Sequence, residues 1–125
     1  MPLEQQMPIQ RHGTTQRYSD SVVHNGTVYL VEVPANLDAD ITEQTQNLLA
    51  SIDTLLAQAG SDKSKLLMVT IYLSDMGDYD GMNAVWDSWI PAGCAPARAC
   101  LEARLANPKY KLEMVLTAAS DGQNT

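Results

Sequence analysis

The segment from Pro96 to Glu113, PARACLEARLANPKYKLE, sets an arginine, Arg98, in one run of alternating residues and a carboxylate, Glu113, in the next. A guanidinium fork binds a carboxylate through two parallel hydrogen bonds, and a carboxylate within reach of water can orient it for attack or take its proton. Spacing alone favours a structural ion pair over an active site, because paired charges signal function in only a fraction of cases.

Other side chains that could do chemistry have simpler readings. Cys94 and Cys100 have no histidine pair nearby, so their spacing fits neither a zinc knuckle nor a disulfide framework, and both are expected to be reduced. Without a neighbouring base the Cys100 thiol is expected to line a tight wall rather than act as a nucleophile. His12 and His24 fall in a tail and a turn and are expected at the solvated surface. The acidic run Asp75, Asp78 and Asp80 before Gly81 lacks the remaining calcium ligands, and helix capping explains it better. No glycine-rich phosphate loop, zinc-protease motif or serine triad spacing is present.

The elements that must position Arg98 and Glu113 follow from periodicity. Residues 21–33 read as a hairpin turning at Asn25-Gly26 and stopped by Pro34. Between Asp38 and Gly60, Ile41, Leu48, Leu49, Ile52, Leu55, Leu56 and Ala59 recur at helical spacing, with Asp38 or Asp40 available to cap the start and Gly60 the end. Leu66 to Leu73 reads as a buried central strand. A second helix, about Tyr79 to Ile90, carries Met82, Val85, Trp86, Trp89 and Ile90 on one side, with Asp78 as its cap. Ala97 to Leu105 and Tyr110 to Ala118 then alternate as strands, which would let Arg98 and Glu113 point the same way from neighbouring strands. The order is β-β-α-β-α-β-β: an α+β mixed sheet with two helices on one face. The other face is left apolar and uncovered, a pattern that suggests an oligomer.

With 125 residues the chain holds one domain, expected over 17–120, with loosely ordered segments at 1–16 and 121–125. A net charge of -7 argues against nucleic acid and anionic membranes as partners. Arg98, Arg104, Lys109 and Lys111 nevertheless form a local basic stretch suited to a small anion. No signal peptide or membrane span is apparent, so a cytoplasmic location is expected.

The runs PARAC and KLE, the Asn83 helix and the hairpin ahead of Pro34 resemble the Rid family, YjgF-type proteins once labelled translation inhibitors or L-PSP ribonucleases. VPANLDAD, MNAVWDSW and NPKYK are similar to segments of its YoaB-like branch. The resemblance implies a chorismate-mutase-like fold, a homotrimer with pockets between subunits, and hydrolysis of reactive 2-imino or enamine acids to 2-keto acids and ammonia without metal or organic cofactor. It also implies that Arg98 holds the substrate carboxylate, Glu113 positions the attacking water, Cys100 flanks the pocket, and Asn83 and Tyr18 shape it. Val31 and Glu32 stand where deaminating members usually have Ser-Gly. A carboxylate there would weaken anion binding unless Glu32 faces away or pairs with a base such as Arg104. A non-catalytic module that binds 2-keto acids is therefore the alternative. The older ribonuclease or translation-inhibitor role fits the acidic balance least.

Overall fold

Helix α1 (Ile41–Gln58) starts where Asp40 accepts a hydrogen bond from the Glu43 N–H at 2.9 Å, which satisfies one of the free donors of the first turn. It ends ahead of Gly60, whose φ of +73° is the left-handed conformation that closes a helix. Its apolar stripe, Leu48, Leu49, Ile52, Leu55 and Leu56, lies against one face of a six-stranded sheet. The second helix, α2 (Tyr79–Trp89), adds Met82 and Trp86 to the same core. Asp78 stands at its cap position without making a side-chain cap bond; Asp75 instead accepts from the Gly77 N–H in the short 3-10 turn just ahead. Asp78 thus holds the expected cap position, but the side-chain capping bond is made by Asp75 to the 3-10 turn ahead of it.

The computed structural model describes residues 8–121. The strands are β1 (Gln10–His12), β2 (Ser21–His24), β3 (Thr27–Glu32), β4 (Leu66–Leu73), β5 (Ala97–Glu102) and β6 (Leu112–Ala119), in the spatial order β1-β2-β3-β6-β4-β5. Only β4 and β5 run parallel, joined through α2. The β2–β3 hairpin turns at Asn25 and Gly26, both with positive φ, as the Asn-Gly pair requires.

Two expectations need amendment. Strand β1 pairs antiparallel with β2 inside the segment expected to be loose, and Gly13 makes the turn between them with φ +65° and the Asp20 carboxylate packed where a Cβ would sit. At the other end Asp121 donates its N–H to the Gly60 carbonyl and pairs with Lys65; the rest of both expected loose segments, 1–7 and 122–125, lies outside the described residues. The histidines are half-buried rather than solvated: His12 stands opposite Ser21 across β1 and β2, and each has a buried polar atom without a hydrogen-bond partner.

The core lies between the helices and one sheet face, where Val23, Val28, Leu30, Val69, Ile71, Leu73, Leu112, Met114, Leu116 and Ala118 are buried. A bulge at Leu67 between Leu66 and Met68 shifts register so that both Leu66 and Val69 face inward. Tyr29, Val31, Met68, Leu101 and Val115 occupy the opposite face and are about half exposed, with Tyr72 and Thr117 between them. Nothing among the described residues covers this face.

Ile52→Ala, at the centre of the helix-sheet contact, is expected to destabilise the fold by about 2–5 kcal/mol through lost burial and a cavity. Urea denaturation followed by circular dichroism measures this.

Candidate functional site

Arg98 lies in β5, paired with the fully buried Val69 of β4, and therefore points to the helix-covered side of the sheet. There its guanidinium carbon stands 5.3 Å from the centre of the Trp86 ring, a cation-π contact worth about 1 kcal/mol. Nη2 makes a loose 3.5 Å contact with the Tyr79 hydroxyl. Tyr79 and Trp86 are seven residues apart on α2, two turns on one face, and Asn83 falls between them. Its Oδ1 is buried and unpartnered. The ion pairs Lys65–Asp121 and Lys109–Asp38 do not involve Arg98, so its donors are held in place by an aromatic face yet unsatisfied by any carboxylate among the described residues.

Cys100, two residues along the same face, shares with Arg98 a cavity of about 610 Å³ that Met76, Gly77, Tyr79 and Asp80 complete. Burial pushes the Cys100 thiol up from its ordinary value and the nearby Arg98 charge only partly opposes this. The thiol stays protonated near neutral pH, which suits a wall residue and not a nucleophile.

Glu113 is elsewhere. It pairs with Tyr72 of β4, while its neighbours Leu112 and Met114 are buried in the core; its side chain therefore emerges on the uncovered face. It lines a second cavity, of about 440 Å³, with Tyr18, Asp20, Val31, Glu32, Val33, Ala106 and Tyr110. The expectation that Arg98 and Glu113 project the same way from neighbouring strands is overturned. Strand β4 separates β5 from β6, and the two side chains leave opposite faces of the sheet. The intervening chain, 103–111, wraps the end of β4: Ala103 N–H donates to the Leu73 carbonyl and Ser74 N–H to the Lys111 carbonyl.

The predicted residues thus separate into two groups. Arg98, Cys100 and Asn83 lie on the helix side, and Tyr18, Val31, Glu32 and Glu113 meet around the second cavity. Glu32 borders that cavity, although it stands opposite the buried Met114 of β6 and so alternates away from Val31, and it does not pair with Arg104, which lines a separate hollow with Glu102 and Asn107. One Glu32 oxygen accepts from the Val33 N–H at 3.0 Å. Its carboxyl is raised above the ordinary value, chiefly by burial, against the lowering effect of that hydrogen bond and with a smaller contribution from the Asp20 charge.

Tyr79 and Trp86, which hold the arginine, and Asp20 and Tyr110, which wall the second cavity, were not singled out by sequence reasoning. The helical spacing of Tyr79 to Trp86 was a usable signal. For Tyr110 strand alternation pointed instead to the core face, because β6 was expected to start two residues earlier than it does. Among the described residues no group of three or more histidine, cysteine, aspartate or glutamate side chains is arranged to hold a metal ion.

A mixed six-stranded sheet carrying two helices on one face, with Arg98 on one side and Glu113 on the other, defines the α+β class of the chain. The family model described as Endoribonuclease L-PSP matches residues 8–120. RutC family protein YoaB of Escherichia coli is 50% identical over 113 residues, covering 90% of this chain and 99% of that protein. A RutC family protein of Haemophilus influenzae is 41% identical, covering 90% and 98%. The crystal structure of a YjgF family member from Neisseria meningitidis superimposes with a TM-score of 0.89 at 51% identity, covering 92% of this chain and 97% of that one. Yeast Mmf1, at 21% identity and a TM-score of 0.82, shares the fold. The chain belongs to the L-PSP family, the Rid, YjgF or RutC proteins, and to their YoaB-like branch.

Because the carboxyl of Glu32 is raised in the folded state, the folded protein takes up this proton more readily than the unfolded chain. The associated stability is complete below the ordinary carboxylate value of 4.5 and is lost as pH rises through the raised one. Glu32→Gln is therefore expected to raise Tm at neutral and alkaline pH, and the gain should vanish in acid. Calorimetric melts across that range decide it.

Proposed function

We propose that the protein is a cytoplasmic homotrimeric deaminase that hydrolyses reactive 2-imino and enamine acids to 2-keto acids and ammonia, at pockets formed between subunits. The observation that carries this reading is the division of the site. One chain offers a carboxylate anchor on one side of its sheet and a water-directing carboxylate on the other, with an uncovered apolar face beside the latter. A second copy packed on that face buries it and can bring its own Arg98 half-site to the Glu113 half-site of the first.

In such a pocket Arg98, already oriented by Trp86 and lacking a carboxylate of its own, forks onto the substrate carboxylate. The iminium carbon is electrophilic without further activation. Glu113 takes a proton from water as the water oxygen bonds to that carbon, giving a carbinolamine. The proton passes to the amine nitrogen, the carbon-nitrogen bond breaks as the carbinol hydroxyl gives its proton back to the Glu113 carboxylate, and ammonia leaves with the keto acid behind. An enamine enters the same path after protonation at carbon. Tyr18 and Asn83 shape the pocket and Cys100 supplies its wall. Holding the reactants in place carries most of the rate, and the reading assigns no role to a metal or organic cofactor.

Glu32 favours one alternative, a non-catalytic pocket that binds 2-keto acids. An ionised Glu32 at the border of the cavity that Glu113 lines disfavours an anionic intermediate there and hinders turnover more than it hinders holding a neutral ligand group. The ribonuclease named by the family model is poorly supported by a chain with net charge -7.

Keto-acid release from imines generated in situ by an amino-acid oxidase is expected to fall at least about a hundredfold in Arg98→Ala; full activity in that variant would remove the assignment. Arg98→Ala and Glu113→Gln, each inactive, are expected to regain part of the activity when unfolded together and refolded as mixed trimers. Light scattering that returned a single-chain mass of 13.6 kDa would exclude the shared pocket.

A further inference from the structure

Gln44 lies in the second turn of α1 and is completely buried. Its side chain joins two stretches of irregular backbone distant in sequence. The amide Nε2 donates to the carbonyls of Leu37 at 3.2 Å, Ala39 at 3.3 Å and Lys109 at 3.0 Å, while Oε1 accepts from the Lys111 N–H at 2.9 Å. A buried glutamine with both ends used leaves no polar atom unpaid. Its bonds to the second stretch go to the carbonyl before Tyr110 and the amide after it, so the residue between them is clamped on both sides. Tyr110 lines the cavity of Tyr18 and Glu113 and also the neighbouring hollow of Arg104, and with Ala106 stands between them. Three residues after Tyr110 comes Glu113. The first stretch, 37–39, belongs to the loop that leaves Val33, another wall of the same cavity.

From this geometry we propose that Gln44 is a positioning residue for the Glu113 half-site, acting through Lys109 and Lys111 to set Tyr110 and the start of β6. The proposal rests on the deamination reading for its kinetic consequence, though not for its structural one. The exposed Lys109–Asp38 ion pair ties the same two stretches at 3.0 Å, but a pair so open to solvent contributes little. Gln44 is the buried link, and its donors and acceptor cannot be replaced by water without opening the core.

Two variants test this. Gln44→Met keeps the volume and removes all four bonds. Gln44→Glu keeps the acceptor when ionised and regains a donor only when protonated, which burial favours as pH falls. In chains verified as folded by circular dichroism at the assay temperature, Gln44→Met is expected to lose roughly ten- to a hundredfold in kcat/KM. Gln44→Glu should be impaired at high pH and recover toward wild type as pH falls, a profile the wild type lacks. If Gln44→Met does not fold, the Gln44→Glu profile decides alone. Folded Gln44→Glu with wild-type kinetics at every pH overturns the proposal. Amide NMR of the same protein is independent of catalysis: the Tyr110 and Glu113 signals of Gln44→Glu are expected to move reversibly with pH while those of β1 and β2 do not. Signals at Tyr110 and Glu113 that stay with the wild type would sink the idea even if no imine were hydrolysed. Inert wild type with the predicted NMR shift would remove the deamination reading and leave Gln44 as the clamp.

Discussion

Strand β6 inserts between β3 and β4 and is paired on both edges along nearly its whole length. Its even-numbered residues Leu112, Met114, Leu116 and Ala118 fill the centre of the core, and a slip of one residue would send all of them to the open face. The register of this one strand therefore decides where Glu113 points. Because β6 occupies one edge of β4, β5, carrying Arg98, lies on the other, at the edge of the sheet.

The proposed site residues are divided between the two sides of the sheet. On the helix side, Arg98 stands against the Trp86 ring and pairs with no carboxylate among the described residues, where an internal ion pair would compete with any ligand. On the open side, Tyr18, Glu32, Tyr110 and Glu113 surround a cavity bordered by unburied Val31 on a face that the described residues do not cover. A core on one face only is a weak design for a chain of this size unless something covers the other. The trimer proposed above would cover that face and complete the proposed site together.

Glu32 is the point of tension. Half-buried near the Asp20 charge, its carboxyl is costly to ionise and no basic side chain among the described residues offsets it.

Much of the architecture was legible in the residues themselves. The α1 stripe, the Asn25-Gly26 turn, the Asp40 cap and the alternation of β6 report local periodicities that a chain must satisfy whatever its neighbours do. The motifs PARAC, KLE and NPKYK were enough to point to the Rid family, which the comparisons bear out. The relation of Arg98 to Glu113 was not legible, because alternation states which side of its own strand a residue occupies and says nothing about which strand lies next to it. That order is decided by the parallel crossover through α2, which sets β5 beside β4, and by the long return of 103–111, which lets β6 enter on the far side. The clamp by Gln44 was equally hidden: its partners are backbone atoms as far as 67 positions away, brought to it only by the folded chain. Sequence determined the elements and the chemistry they carry, whereas tertiary structure alone decided which face each group serves, since strand order is a property of packing and not of pattern.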